Sequence, residues 1–221
     1  RAELEQSGEK WSNTAHAEVI RFTDLALILW ITGMAAVAFC LFGSNLRFAL
    51  RLRKSRKLLQ RETLPVYLTE EADTPCLFGL TRPAVYVTPE AAEEERRLRH
   101  VIEHELTHYR HGDHLWSLLR CVCLILHWYN PLVWWGAILS RRDCELACDE
   151  ATIARLGEGE RAAYGRTLLY MTCQKRPALL MTATTMTGSK GSIKERIALI
   201  VKKPRTAVIT LVAVLLAAAV A

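Results

Sequence analysis

The sequence predicts a mainly helical α+β chain anchored in a membrane, with a small antiparallel sheet lying beside one long amphipathic helix. Three observations predict it. Residues 25 to 43, "LALILWITGMAAVAFCLFG", carry no charge; residues 64 to 90 hold two short β-branched and aromatic runs; residues 98 to 108 repeat apolar side chains at helical spacing. Composition agrees, because 51% hydrophobic and 24% charged residues in a chain of 221 require apolar and charged stretches to be segregated.

The uncharged run would extend about 28 Å as a helix, close to the roughly 30 Å of bilayer hydrocarbon, and we assign residues 22 to 44 as transmembrane. Six basic residues follow between positions 47 and 57. By the positive-inside rule, residues 1 to 21 are extracytoplasmic and the chain from 45 onward is cytoplasmic. A cleavable signal peptide would begin with its basic region rather than end with it. At the other end "AVITLVAVLLAAAVA" (207 to 221) follows the basic cluster "KKPR", so residues 205 to 221 read as a second transmembrane helix cut short. The chain thus reads as an excerpt of a longer multi-pass protein of the cell membrane, with a cytoplasmic domain over 45 to 204. The net charge of +6 sits beside the apolar runs and points to a lipid bilayer; no recognition motif accompanies it, which excludes direct nucleic-acid binding.

Seven cysteines, an odd number without framework spacing, read as free thiols in a reducing compartment. Neither Cys121/Cys123 nor Cys144/Cys148 forms C-x-x-C, so they are expected to pack as small apolar residues. The runs "PVYLT" and "PAVYVT" are the expected strands, with turn residues between them. An edge of that sheet could hold an extended peptide by main-chain hydrogen bonds, or the sheet could simply cover the helix. The stretch "LWSLLRCVCLILHWYNPLVWWGAIL" (115 to 139) is long enough to span, yet Arg120, His127 and Asn130-Pro131 interrupt it. Two short helices folded back at Asn130-Pro131 fit it better than one straight helix. Its tryptophans resemble an interfacial belt.

The amphipathic helix is expected to start at Thr88 as N-cap with Pro89 at its first position, and to carry Leu98, Val101, Ile102 and Leu106 on its apolar stripe. Within it stands His104-Glu105-Leu106-Thr107-His108. Four residues advance about 400° around a helix, so both imidazoles lie on one face and reach one tetrahedral Zn2+. Glu105, about 100° round from His104, can hold a water beside the metal and take its proton. A catalytic zinc needs a third protein ligand, and "RRDCELACDEA" offers Glu145. Asp149, one turn on, can accept the N–H of a ligand imidazole. Asp113 can brace the site, although a plain helix end at Gly112 explains it as well. His100, His111 and His114 read as surface or supporting residues. Since Glu145 must reach the same ion as His104 and His108, both ends of residues 115 to 139 lie on one side of the membrane. The segment is therefore a helical hairpin that is re-entrant, lies in the interface, or packs in the cytoplasmic domain.

The stretches "HELTHYRHGDHLW", "HWYNPLVWW", "RRDCELACDEA", "LFGLTRPAVYV" and "YGRTLL" together resemble the membrane-embedded antirepressor metallopeptidases of the BlaR and MecR type. The resemblance implies a gluzincin-like zincin fold with His104, His108 and Glu145 as zinc ligands, Glu105 as catalytic base and Asp149 supporting a ligand. It also implies a zinc metalloendopeptidase, switched by an extracellular event, that cleaves a cytoplasmic protein such as a transcriptional repressor, or itself. An oxyanion needs a further donor, for which Tyr164, Arg166 and Tyr170 are the candidates. Two rival readings are a receptor whose zinc is structural and a broad-specificity quality-control protease. A homodimer is the assembly allowed for.

Overall fold

The computed structural model describes residues 2–61, 63–173 and 190–202; the transmembrane helix expected at 205 to 221 lies outside the described residues. The described part is mainly helical with one small sheet. In chain order it comprises α1 (Ala2–Ser55), β1 (Lys57–Arg61), β2 (Pro65–Leu68), β3 (Cys76–Phe78), β4 (Ala84–Val87), α2 (Pro89–Ala92), α3 (Glu95–His111), α4 (Asp113–Leu126), α5 (Pro131–Leu156), a 3₁₀ turn at Glu158–Glu160, α6 (Arg161–Cys173) and α7 (Lys190–Lys202).

The uncharged run lies inside α1, whose segment Thr23–Ser55 is long and apolar enough to cross a membrane. The helix does not stop where the uncharged run does. Its last turns enter the domain: Leu52 is fully buried with Ala84 and Tyr86, and Phe48 meets Phe78 edge to face at 5.1 Å. The helix that carries the apolar run is therefore continuous with the scaffold that carries the chemistry.

The sheet is mixed rather than antiparallel. Its order is β1-β2-β4-β3; β1/β2 and β3/β4 are antiparallel, but β2 and β4 run parallel with Val66 opposite Val85. The reason is connectivity: two hairpins place their apolar strands side by side in the same direction. Gly79, at φ 112, helps turn the second hairpin, and a Cβ there would come within 2.6 Å of the Arg82 carbonyl oxygen. β1 escapes the sequence pattern because its lysine and arginine read as part of the basic cluster that follows the apolar run.

The amphipathic helix is also corrected: it is two helices. Thr88 caps α2 as expected, its hydroxyl accepting from Ala91 N at 3.4 Å. The chain then breaks at Glu94, which is extended at φ −124, and α3 begins. Arg97 binds across the break, donating to Glu90 O at 2.6 Å and to Glu94 at 3.1 Å. Val101, Ile102 and Leu106 pack on Val66, Val85 and Val87, as the stripe required. Each such side chain contributes about 1.5–3 kcal/mol on burial, enough to fix which face of α3 turns away from the sheet.

α3 ends at Gly112, left-handed at φ 70, and α4 starts at once. Residues 115 to 139 are interrupted at Asn130-Pro131, but the second helix is not short: α4 ends at Leu126, and α5 begins at Pro131, with the Asn130 side chain accepting from Leu132 N at 2.9 Å, and runs on to Leu156. Behind α3, the buried His100 joins α6 through Thr167 (2.9 Å) and the 3₁₀ turn through Glu160 (3.0 Å). It is a structural histidine. The described cysteines Cys40, Cys76, Cys121, Cys123, Cys144 and Cys148 are free.

Hydrogen bonds from Arg96 and His100 hold the Glu160 carboxyl down from the ordinary 4.5 to about 2. A depressed carboxylate contributes stability that is present above its ordinary value and lost as pH falls toward the lowered one. Acid unfolding followed by circular dichroism should therefore show a component between pH 4.5 and 2 that Glu160→Gln removes.

Candidate metal centre

α3 and α5 face each other with their polar residues inward. His104 Nε2 and His108 Nε2 stand 3.1 Å apart, Glu145 Oε2 lies 3.8 Å from His104 Nε2, and Glu145 Oε1 lies 3.9 Å from His108 Nε2. Ligands of a tetrahedral zinc at about 2.0–2.2 Å sit about 3.3–3.6 Å from one another, so these donors need adjust only by tenths of an ångström. Two imidazole nitrogens and a carboxylate also match zinc chemically. The residues fit the ion.

Each imidazole is turned by a partner on its other nitrogen. His108 Nδ1–H donates to Asp113 Oδ2 at 2.6 Å, which aims Nε2 at the site. Asp113 is thus both the first residue of α4 and the brace of a ligand. Burial alone would lower His108, but Asp113, Glu145 and Glu105 lift it to about 9. His104 is held differently from the expectation. Asp149 Oδ1 is 3.6 Å from His104 Nδ1, too far for a hydrogen bond. Tyr164 stands between them, accepting from His104 Nδ1 at 2.8 Å and donating to Asp149 Oδ1 at 2.6 Å. Burial and the Asp149 charge push the Tyr164 phenol well above its usual range, so it serves as a neutral relay.

That placement corrects the oxyanion candidates. The Tyr164 hydroxyl lies behind His104 and both of its directions are used. Arg166 is exposed on α6, two residues and about 200° away from Tyr164. Tyr170 lies beside Glu93 at 3.5 Å, with the Arg97 guanidinium 3.8 Å over its ring, at the start of the helical layer.

Sequence reasoning missed Arg196. From α7 it donates through Nε and Nη2 to Asp149 at 2.6 and 2.7 Å, and Nη1 reaches Glu145 at 2.9 Å. Burial alone would raise Glu145, but His104, Arg196 and His108 hold it well below the carboxylate range. The signal was indirect: two inward carboxylates one turn apart on α5 require a nearby cation. Beside Arg196, Glu195 pairs with Arg142, which ties α7 to the same face of α5.

Glu105 is buried next to His104, close enough for its charge to act on His108 and on Cys76 of β3. Cys148 is fully buried 3.1 Å from His108 Nδ1 and 3.3 Å from Asp113 Oδ2. Burial and the Asp113 charge raise its pKa, so it remains a thiol, and it donates to the Asp113 oxygen that also accepts from His108. His108, Asp113 and Cys148 also lie close enough to form a second ligand group, but it would use the Nδ1 side of His108, away from His104 and Glu145.

Fold and donor set together define a candidate metallohydrolase centre on a helical scaffold that includes one apolar helix of spanning length. Residues 4–200 match the family described as BlaR1 peptidase M56, and the chain belongs to that family. It is 26% identical over 220 residues to the "Regulatory protein BlaR1" of Bacillus licheniformis, a match covering 90% of this chain and 34% of that protein. It is 22% identical over 203 residues to the "Methicillin resistance mecR1 protein" of Staphylococcus aureus strain Mu50, covering 84% of this chain and 35% of that protein. The chain thus spans about a third of the length of the curated relatives it matches.

Partners that orient metal ligands typically set affinity by about ten- to a hundredfold. Asp113→Asn and Arg196→Gln should each weaken metal binding by about that much, measured with Zn2+ as the probe by competition with a chelating dye. Affinity equal to wild type in both would contradict the roles given to them.

Proposed function

We propose that this chain is the zinc endopeptidase part of a signal-transducing membrane protein, which cleaves a regulatory protein such as a repressor, or itself, on the cytoplasmic side. The observation that carries the reading is the convergence of His104, His108 and Glu145, with Glu105 adjacent. Membership of a peptidase family and the regulatory names of the two relatives support it. The basic residues at the end of α1 support the cytoplasmic orientation.

A zinc ion held by these three residues supplies Lewis acidity toward water and a carbonyl oxygen. Glu105 is the base that accepts the water's proton and returns it to the departing amine. Asp113, and Asp149 through Tyr164, keep the two imidazoles in the tautomer that turns Nε2 inward, while Arg196 balances the carboxylates. An extended substrate has a natural seat along β3, the edge strand beside α3, whose outer main-chain groups can pair with a peptide.

Glu105→Gln keeps the shape and removes the base. Cleavage should fall by at least about 10²–10⁴-fold with zinc content unchanged. Undiminished cleavage in that variant would overturn the mechanism.

A further inference from the structure

Residues 115 to 140 form an apolar hairpin that supplies no ligand to the metal centre and no partner to one. No Asp, Glu, Lys or Arg is exposed between Leu115 and Ser140, whereas Leu115, Trp116, Leu119, Leu132, Trp135 and Ile138 all are. Arg120, the charged residue between Leu115 and Ser140, turns inward, to Ser140 Oγ at 3.3 Å and Cys144 Sγ at 3.7 Å. Exposed charge ends at Arg110 before α4 and resumes at Asp143 on α5. Both boundaries lie at the height of the metal ligands.

The elbow has a fixed height on α1. Trp30 Nε1 donates to Leu126 O at 3.0 Å, Trp128 Nε1 donates to Trp30 O at 3.2 Å, and any side chain at Gly33 would overlap the Trp128 indole. α4 has 14 residues and so climbs about 21 Å from this elbow to Asp113. From Pro131 to Glu145, α5 climbs about the same. The same rise along α1 from Trp30 arrives near Ser44, just before Arg47, the first basic residue after the uncharged run. Three helices, α1, α4 and α5, therefore change from apolar to charged at one level.

We infer that α4 and the first half of α5 form an intramembrane hairpin beside α1, its outer faces covered by lipid acyl chains, with the metal centre level with the headgroups on the basic side. Lipid rather than a protein fits because the exposed face continues that of α1 and spans roughly two thirds of the hydrocarbon depth. An inward arginine is the arrangement that a membrane interior enforces. One consequence rests on the peptidase reading: the scissile segment must be presented at the membrane surface. The lipid contact itself does not rest on it.

The test uses the full chain in phosphatidylcholine–phosphatidylglycerol vesicles brominated either near the headgroups or near the acyl-chain ends. The fluorescence of Trp135, obtained by difference from Trp135→Phe, should be quenched at least about twofold more by deep than by shallow bromine. Trp116, about one turn below the metal level, should show the reverse order. Quenching of Trp135 by aqueous iodide, with no response to either lipid, would overturn the inference. Neither readout depends on activity or on bound zinc, so a failed peptidase reading would remain distinguishable. A direct check avoids variants: the wild-type chain should be quenched more by deep bromine than by iodide, and the opposite order would contradict the hairpin.

Discussion

Placing two carboxylates and two imidazoles within a few ångströms of one another, largely shielded from water, is the constraint on which the rest of this structure depends. Glu145 and Asp149 stand one turn apart on α5, and their repulsion would be costly unless opposed. Arg196 opposes it by touching both. Tyr164 then couples Asp149 to His104, and Asp113 fixes His108, so that each candidate ligand is held by a group on a different element. The centre is accordingly a meeting of α3, α5, α6, α7 and the first residue of α4, and none of these can shift without releasing a ligand.

The apolar hairpin follows from the same constraint. His108 and Glu145 must meet, yet 25 largely apolar residues from 115 to 139 separate the elements that carry them. A chain can return to its starting level only by folding on itself, and Asn130-Pro131 provides the reversal. Asp113 does double duty here, since it opens the descending helix and orients a ligand.

Much of this was legible in the sequence where the physics is local. The uncharged run of α1, the apolar stripe of α3 and the helix end at Gly112 follow from spacing and from glycine's freedom at positive φ. The pairing of His104 and His108 is likewise a matter of helical pitch. What was not legible depends on contacts between distant residues. The parallel pairing of β2 with β4 is decided by how two hairpins dock, and β1 carries the same lysine and arginine as the basic cluster around it. The break at Glu94 is visible only once Arg97 is seen bridging it. Tyr164 looked like an oxyanion donor because nothing local shows that its hydroxyl is spent on His104 and Asp149. Arg196, one cation among many, gains meaning only opposite α5.

The central claim is that His104, His108 and Glu145 form a single zinc centre while Cys148, 3.1 Å from His108, stays outside it. X-ray absorption at the zinc edge of the purified chain tests this most directly. Two imidazoles and otherwise only light oxygen or nitrogen neighbours are expected, at about 2.0–2.2 Å. A sulfur neighbour at about 2.3 Å, or a shell without imidazole scattering, would contradict it.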